Sequence, residues 1–587
     1  MILQSLASYY DRKRELDPHE LPPPGYEENA ISFVVVLDLD GRLVNLEDWR
    51  EGEGKRKHGK AQFVPQSKDR TGKDSWKTAF LLWDHPRYVF GVPKDGEDRE
   101  TSQSRLETFR RRIKQSFPDP SVDNGVNAVV RFYDRTDAFS QLHESALWPQ
   151  VEEGNGNVSF RLRDSTELVC QSTKVRETLA GEFKMDSGVG VRQCLISGHP
   201  ETIERLHPAT PIPDSKSTAK IHSFNLPAFN SYGKEQGANA PVGKRASFAY
   251  TSALNYLLGT RNRQNHKQYL RVGDASAVFW ADRSSALEDN CADIFDEPSK
   301  DDPDLNARAI KALYEAPRHG VAPIKDNQTR FYVLGLGPNA ARIAIRFWHV
   351  GTVAELAKNI LKHFDDLAIV RPSFEKPHLS LFRLLLATAA QGKRENIPPN
   401  LGGEVMRAIL ECLPYPVTLL QGAVRRIRAE QEVSYPRAAI VKACLNRIRQ
   451  IHEKELTMSL DEDNTDVAYL LGRLFFVLEE AQWAAHSTKT NPGTNSTIRD
   501  RFYGAASATP ITVFPQLLRL YPHHISKAAK SGRKGIAVCL EKLVDGITTK
   551  LPAKNPFPSY MAVSEQGRFA VGYYHQRHDF FSSNQSA

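Results

Sequence analysis

The stretch YVLGLGPNAARIAIRFW, residues 332–348, decides between two kinds of fold. Gly335, Gly337 and Ala340 match the phosphate-binding pattern G-x-G-x-x-[GA], which is typical of nucleotide-binding enzymes. That pattern binds a dinucleotide only when a helix follows the turn, because the helix N-terminus faces the pyrophosphate. The residues after the turn therefore decide the matter.

Those residues do not predict a helix. Apolar residues at positions 343, 345 and 347 alternate with Arg342, Ala344 and Arg346, and a period of two is typical of a strand. With Pro338 and Asn339 as turn residues, we predict a β-hairpin whose second strand has one apolar face and one basic face. A nucleotide-dependent enzyme at the Gly335 turn stays open as an alternative.

Length and composition describe a large globular protein. At 587 residues the chain is too long for one core, so two to four domains are expected. The hydrophobic content of 40% includes no apolar run long enough to cross a membrane. The N-terminal MILQSLASYYDRKREL predicts a helix and lacks the order of charges of a secretory signal, so we expect a cytoplasmic protein.

Two halves differ in pattern. Residues 1–350 contain short β-like runs such as ISFVVVLDLDG, PRYVFGV, AVVRFY and AVFWA, broken by Gly, Pro and Asn. From residue 351 the chain shows long helical periodicities, among them TVAELAKNILKHFDDL and VAYLLGRLFFVLEEAQWAAH. We predict an α+β fold, with a mixed N-terminal domain over 1–350 and a helical bundle over 351–587. In the helix near 438–451, Lys442, Arg447 and Arg449 are predicted to face solvent.

Positive charge is clustered rather than spread. The net charge of +8 is modest for this length, but residues 55–77 hold eight cations, Arg70 and Lys73 among them, against Asp69 and Asp74. We predict a basic loop that favours a polyanion, with a merely solvated loop as the alternative. The run SKAAKSGRKG forms a second cluster, which favours contact with a phosphate backbone through Lys527, Lys530, Arg533 and Lys534.

Catalytic motifs are missing from the sequence. It contains no G-x-x-x-x-G-K-[ST], H-E-x-x-H, G-x-S-x-G or C-x-x-C, and its six cysteines are predicted to be ordinary buried thiols. The pairs His523–His524 and His578–Asp579 have no evident further metal ligands. We predict no catalytic residues, no metal site and no cofactor. A metal-dependent nuclease at a cryptic HD site stays open.

The most informative segment is SFNLPAFNSYGKEQGANAPVGKRASFAYTSALNYLL, residues 223–258. It places Gly233, Gly237 and Gly243 with amides and lysines ahead of a helix, a pattern suited to close approach to another molecule. With LWDHPRYVFGV, FYVLGLGPNAARIAIRFW, LTMSLDEDNTDVAYLLGRLFFVLEEAQ and GYYHQRHDFF, it resembles the large subunit of the type I-C CRISPR surveillance complex, Cascade. The resemblance covers essentially the whole chain.

The resemblance implies a non-catalytic protein that recognises the protospacer-adjacent motif in double-stranded DNA and helps to open the duplex for guide RNA. It also implies partners: the backbone and guide-processing subunits that carry the guide RNA, a small subunit, the target duplex, the displaced strand, and a separate helicase-nuclease. In such systems base pairing supplies most sequence specificity, and the protein supplies motif readout and backbone electrostatics.

Local chemistry then assigns residues to tasks. Amides and cations suited to reading base edges or wedging the duplex are Lys234, Gln236 and Asn239, with Asn255 in support, and the alternative for Asn255 is a polar residue satisfied in its own helix. Cations suited to the duplex backbone are Arg261, Arg263, Lys267 and Arg271, with Arg70 and Lys73 of the basic loop. The alternative for residues 261–271 is a solvated turn. The cluster at residues 527–534 is predicted to contact the displaced strand.

Type I-C complexes typically contain a small helical subunit made by internal translation of the large-subunit gene. Met458 precedes an acidic run that favours the start of a helix, and Lys454–Glu455 can be encoded by AAGGAG, a ribosome-binding sequence. We therefore predict Met458 as an internal start, with residues 458–587 as a separately made, small-subunit-like segment.

Overall fold

The structure is a computed structural model. It describes residues 1–52, 57–67, 70, 75–93, 96–97, 99–154, 156–184, 190–224, 226–259, 268–297, 304–315, 328–339, 342–448, 456–486 and 497–583. The chain divides into two compact units, one of residues 1–266 and 338–344 and the other of residues 267–337 and 345–587. The domain boundary predicted at residue 350 stays a prediction.

The first unit is built on a mixed sheet. Its strands are β1 (Tyr26–Leu37), β2 (Leu43–Asp48), β3 (Arg50–Glu51), β4 (His58–Pro65), β5 (Trp83–Asp84), β6 (Asn157–Leu162), β7 (Val191–Gln193) and β8 (Pro200–Thr202). Its helices are α1 (Ile2–Leu16), α2 (Pro86–Val89), α3 (Arg99–Ser116), α4 (Asn124–Asp134), α5 (Ala138–His143), α6 (Trp148–Glu152), α7 (Thr173–Lys184) and α8 (Lys244–Leu258).

The run ISFVVVL forms the centre of this sheet, as its apolar character predicts. Residues 31–37 of β1 are all buried, and β1 pairs with β2 and β4 in antiparallel and with β6 in parallel orientation. A strand that is buried along its whole length is expected to read as a continuous apolar run. The sheet order is β3-β4-β1-β6-β5, with β2 also on β1, while β7 and β8 form a separate pair.

Three predictions for the first unit are wrong. PRYVFGV contains helix α2 instead of a strand, because Pro86 takes the first helical position and the His85 ring accepts a hydrogen bond from the Arg87 N–H. AVVRFY lies in α4, whose start is capped by the Asp123 carboxylate accepting from the Val126 N–H. The predicted basic loop at 55–77 contains strand β4, which finds hydrogen-bond partners along β1.

The second unit combines a sheet with many helices. Its strands are β9 (Tyr269–Val272), β10 (Ala275–Ala281), β11 (Arg330–Asn339) and β12 (Arg342–Thr352), in the order β12-β11-β10-β9. Its helices are α9 (Ala286–Phe295), α10 (Leu305–Glu315), α11 (Val353–Leu367), α12 (Leu381–Thr388), α13 (Leu401–Leu410), α14 (Val417–Glu430), α15 (Tyr435–Arg447), α16 (Val467–His486), α17 (Ile498–Ala508), α18 (Phe514–Lys530), α19 (Lys534–Thr548) and α20 (Val563–Ser583). The end of the β11–β12 hairpin, residues 338–344, belongs to the first unit.

The predicted hairpin is confirmed as strands β11 and β12, and the structure explains its glycines. A Cβ on Gly335 would lie 2.1 Å from Cε1 of Phe347, and a Cβ on Gly337 would lie 2.2 Å from Nε of Arg346. The G-x-G pattern therefore leaves room for side chains of the neighbouring strand. Pro338 and Asn339, predicted as turn residues, end strand β11, and Ala340 lies outside the described residues.

Glycines also allow a close helix contact in the second unit. A Cβ on Gly472 of α16 would lie 2.0 Å from the carbonyl oxygen of Phe569 in α20, and one on Gly572 would lie 2.2 Å from that of Tyr469. Two helices whose backbones approach this closely need residues without side chains at the crossing.

Two of the three cations predicted to face solvent near residues 438–451 have buried side chains instead, and Arg449 lies outside the described residues. The Lys442 ammonium donates to the Asp366 carbonyl at 2.9 Å, and Arg447 Nε donates to a carboxylate oxygen of the same residue at 2.6 Å. Likewise, Cys412 and Cys539 are exposed rather than buried.

The α+β class is confirmed, with an N-terminal sheet region and a C-terminal helical region. Within the part of the chain that the structure describes, no helix combines the length and apolar character that a membrane crossing requires.

Candidate nucleic-acid interface

The segment predicted to read the motif forms a structured loop, here called the motif loop, residues 226–239. It consists of a 3₁₀ turn at Pro227–Phe229, a tight turn at 231–234, and a second 3₁₀ turn at Gln236–Asn239. In the tight turn the Lys234 N–H donates to the Ser231 carbonyl at 2.9 Å. The loop is therefore held by its own hydrogen bonds.

The tight turn has an unusual central residue. Tyr232 and Gly233 have φ angles of +51° and +67°, the pattern of a type I′ turn, which normally takes Asn-Gly or Gly-Gly. Glycine adopts this region freely, whereas a tyrosine there costs about 1–2 kcal/mol. Tyr232 is also 96% exposed, so burial of its ring does not offset that cost.

Asn239 holds the turn in place. Its side-chain oxygen accepts a hydrogen bond from the Ser231 N–H at 2.9 Å, and its amide donates to the Gln236 carbonyl at 3.1 Å. Both ends of the predicted base-reading amide thus serve the loop itself, which makes Asn239 a positioning residue in this structure.

Gln236 is fixed from outside the loop. Its side-chain oxygen accepts from Arg205 Nη1 at 2.6 Å, and its own φ is +46°. A Cβ on Gly237 would lie 2.2 Å from the Glu204 carbonyl oxygen, so the loop rests on the backbone of residues 204–205. The glycine at 237, predicted to approach another molecule, approaches the chain's own backbone.

Gly243 also makes an internal contact. It precedes α8, its N–H donates to the Cys194 sulfur at 3.2 Å, and a Cβ there would lie 1.9 Å from a Glu201 carboxylate oxygen. Of the three glycines, only Gly233 has open space around it.

Beside the motif loop lies a cavity of about 670 Å³. Its walls come from the start of β1, from residues 204–220 and from α8, where Thr251, Ser252 and Asn255 line it. The Asn255 amide donates to the Ala209 carbonyl at 3.1 Å. Asn255 is therefore a wall residue of this cavity.

A stacked histidine pair lies at the same cavity, which is lined by the buried His207, while His222 is half-buried. The His207 ring stacks on His222 with 4.0 Å between centroids, and its Nδ1 shares a hydrogen bond with the Tyr250 hydroxyl. Burial lowers the pKa of His207 to about 2, with a further contribution from His222. The ring is therefore neutral at physiological pH.

The cations predicted to contact displaced DNA meet at the junction of α18 and α19, here called the basic corner: Lys527, Lys530, Arg533 and Lys534. The three lysines are exposed, and the Arg533 guanidinium lies 4.9 Å from the centroid of the Trp483 ring. Lys527 and Lys530 in the last turn of α18 complement the helix dipole, which explains them structurally. Lys534 in the first turn of α19 opposes the dipole, so helix stability does not explain it.

The comparisons with known proteins decide the family. The model of one family, described as CRISPR-associated protein (Cas_Csd1), matches residues 6–581. The chain belongs to this family. No curated protein matches it. Membership confirms the CRISPR-associated part of the resemblance, over nearly the whole chain.

In this Cas_Csd1 chain the Arg70 side chain makes its hydrogen bonds within the first unit. Its guanidinium donates to both carboxylate oxygens of the fully buried Asp84 and, at 2.7 Å, to the Thr78 carbonyl. The rings of Phe80 and Tyr88 lie 3.6 and 3.8 Å from its central carbon. Burial raises the pKa of Asp84, and the Arg70 hydrogen bonds oppose that rise. We therefore assign Arg70 to the core of the first unit rather than to DNA.

Of the other five cations predicted to contact the DNA backbone, the structure describes one. Lys73, Arg261, Arg263 and Lys267 lie outside the described residues. Arg271 lies on β9 opposite Ser276 of β10 and is half-buried.

Met458 lies in the segment between α15 and α16. Its side chain is 58% exposed, and its carbonyl accepts a hydrogen bond from the Val370 N–H at 2.8 Å. Lys454 and Glu455, whose codons can form a ribosome-binding sequence, lie outside the described residues.

His578 and Asp579, the pair behind the alternative of a cryptic HD site, lie on α20 of the Cas_Csd1 chain, where His578 Nδ1 is 3.3 Å from the Ser582 hydroxyl. Among the residues that the structure describes, no three His, Cys, Asp or Glu side chains group to hold a metal ion.

Sequence reasoning missed two features of this region. The base-reading residues predicted from the sequence do not include Tyr232, although it precedes a glycine inside the motif loop, a position that favours a turn. The stacked histidines were also missed, because no spacing rule links positions 207 and 222.

Proposed function

We propose that this Cas_Csd1 chain is the large subunit of a type I-C CRISPR RNA-guided complex. In this role it recognises the protospacer-adjacent motif in double-stranded DNA, promotes R-loop formation and recruits the helicase-nuclease, without breaking a bond itself. Its partners are the backbone, guide-processing and small subunits with their guide RNA, the target duplex and the displaced strand. We expect it in the cytoplasm.

The observation that carries the DNA-reading part is the pre-organised motif loop. Asn239 and Arg205 fix the loop through hydrogen bonds to Ser231 and Gln236, so little conformational entropy is lost when the loop contacts a ligand. Lys234 and Gln236 are the side chains that we assign to base edges in a groove, and Asn239 positions them.

The basic corner supports a second contact. Lys534 lies where a cation is unfavourable for its helix, and Arg533 lies beside the half-exposed Trp483. Cations next to an aromatic ring suit single-stranded nucleic acid, whose phosphates and bases both find partners there. We assign Lys527, Lys530, Arg533 and Lys534 to the displaced strand. The cations at 73, 261, 263, 267 and 271 are assigned to the duplex backbone.

Internal translation from Met458 belongs to the same proposal. The segment 458–587 contains α16 to α20, and the close crossing of α16 and α20 lies within it.

The test compares two double variants in the assembled complex. A target library with randomised flanking bases first identifies the preferred motif. We expect Lys234→Ala with Gln236→Ala to lower the preference for motif-bearing over motif-free duplex by about 30-fold or more, since two base contacts are lost and each costs about 1–3 kcal/mol. The measurement is equilibrium binding by fluorescence anisotropy.

Lys527→Ala with Lys530→Ala is the matched control. It should weaken binding to both targets, keep the motif preference, and make the salt dependence of affinity less steep. Equal losses on both DNAs for the motif-loop variant would contradict base reading, and a lost preference in the control would contradict the backbone assignment. Divalent-metal-dependent cleavage of DNA by the chain alone would contradict the non-catalytic role.

A further inference from the structure

The tip of the motif loop presents a single aromatic ring. Tyr232 is 96% exposed at the second position of the tight turn, with a φ of +51°. Single exposed aromatic residues are ordinary, but a β-turn position with positive φ favours Asn or Gly on energetic grounds. A side chain that is both strained and unburied is stabilised by neither the turn nor the core. Strain of this kind clusters at sites of function.

The loop holds this ring in a defined place. Ser231, directly before it, donates its N–H to Asn239, and the Lys234 N–H closes the turn behind it. Because the backbone on both sides is hydrogen-bonded, the ring loses only its two side-chain torsions when it binds. A tyrosine is suited to such contacts, since it offers a large flat surface at a low entropic cost.

The surroundings of the ring indicate what it contacts. Its neighbours Asn230, Ser231, Gly233 and Glu235 are polar or lack a side chain, and all are exposed. Within residues 230–235 it is the only large apolar side chain, unlike the contiguous apolar patches that mark protein interfaces. An isolated ring is well suited to stacking on one planar group.

The charge around the loop favours a nucleic acid as the source of that group. Residues 220–245 contain four cations, Lys220, Lys234, Lys244 and Arg245, and one acid, Glu235. Outside this window, Glu204 interacts with Lys220 and Lys244, and Asp11 pairs with Arg245 at 3.5 Å. The Arg342 guanidinium also lies 5.0 Å from the Phe229 ring at the start of the loop. Cations that attract phosphates beside a ring that stacks on bases form the usual surface for unpaired nucleotides.

We propose that Tyr232 stacks on a nucleobase at the junction between paired and opened DNA. This inference rests on the proposed function and adds a residue to it: Lys234 and Gln236 read the duplex, and the adjacent ring covers the first base exposed when the strands separate. A base in that position would otherwise leave one face in water and re-pair readily.

The test uses the full-length chain and a forked DNA with 2-aminopurine at the first unpaired position. Stacking of a ring on this base quenches its fluorescence. We expect quenching by the wild type and by Tyr232→Phe, which keeps the ring. Tyr232→Asn should lose the quenching and bind the fork about 5- to 100-fold more weakly, the range for removal of one base-stacking side chain. Binding to the same sequence as a fully paired duplex should stay unchanged.

Two features keep the result interpretable. Asparagine is well tolerated at positive φ, so Tyr232→Asn preserves the turn, and its thermal midpoint should be no lower than that of the wild type. Tyr560→Leu is the matched control, since Tyr560 is 67% exposed in the other unit and should not affect fork binding.

Other outcomes overturn the inference in distinct ways. If Tyr232→Asn quenches and binds the fork like the wild type, the stacking role is wrong while the proposed function stands. If the variant binds the fork normally but fails to assemble with the protein subunits, the ring contacts a protein. If the wild type binds neither fork nor duplex and its assembled complex shows no motif preference, the proposed function itself fails.

Discussion

The carboxyl group of Glu480 on α16 contributes to the pH dependence of the chain's stability. Burial raises its pKa from 4.5 to about 7, the adjacent Glu479 adds to the rise, and Arg533 and Arg577 oppose it. The folded state therefore keeps a proton that the unfolded state releases. This contribution is fully present below pH 4.5 and is lost as the pH rises to about 7, on the order of 3 kcal/mol in total.

Glu480→Gln should remove that loss, because the amide stays neutral at every pH. We expect the variant and the wild type to have similar free energies of unfolding at pH 4.5, and the variant to be more stable by about 2–3 kcal/mol at pH 8. Denaturant unfolding at several pH values measures both. Glu541→Gln, on the exposed face of α19, is the control and should keep the wild-type profile. A Glu480→Gln profile parallel to that of the wild type would show that Glu480 titrates normally.

Individual cations were the least predictable feature from sequence. Arg70, Lys442 and Arg447 all lie in charged or polar segments, yet each contacts an aspartate or its backbone carbonyl in the interior. The partners, Asp84 and Asp366, are distant in sequence or on another helix, so no local pattern reveals the pairing. The strain at Tyr232 was hidden for a similar reason, since SYGK lacks the Asn-Gly pair that marks a type I′ turn.

At the scale of elements, the crossing of α16 and α20 depends on Gly472. A methyl group there would lie 2.0 Å from the Phe569 carbonyl oxygen, a backbone atom that cannot rotate away. Alanine normally stabilises a helix relative to glycine, but the clash outweighs that gain. We expect Gly472→Ala to lower the free energy of unfolding by about 1–3 kcal/mol, measured by denaturant unfolding.

Gly546→Ala supplies the matched control for that substitution. Gly546 lies inside α19 with no atom within 4 Å of an added Cβ, so alanine should stabilise by about 0.5–1 kcal/mol. If Gly472→Ala proves as stable as the wild type, the two helices have room to separate and the glycine contact does not fix their crossing.

Elements with long, regular patterns were predictable. The hairpin at 330–352 follows from its period of two, and α11 and α16 follow from their helical periodicity, α11 with a Thr352–Glu355 capping box. The runs PRYVFGV and AVVRFY were predicted as strands because short apolar runs fit either structure. Their caps, His85 with Pro86 and Asp123, were the signals that distinguish a helix.

For the whole molecule, the family was predictable because blocks of sequence spread over the entire chain carry the resemblance, and the match over residues 6–581 agrees with it. The motif-reading and backbone residues stay predictions, since a base contact depends on DNA geometry that no local pattern records.

A further prediction at this scale concerns the number of polypeptides translated from the gene. In the full chain, α20 packs on α15, where a Cβ on Gly567 would lie 2.9 Å from Val441 Cγ1.

A product that starts at Met458 would lack α14 and α15 and would expose that surface of α20, which favours its capture by another subunit. Met458→Ala removes the start codon but little structure, because the side chain is 58% exposed and the bond from the Val370 N–H uses the carbonyl. With a C-terminal tag, we expect the full-length band to remain and the short band to disappear on a gel. Met561→Leu, at a buried downstream methionine, should leave both bands. A short band that persists in Met458→Ala would place the start elsewhere or identify the band as a proteolytic fragment.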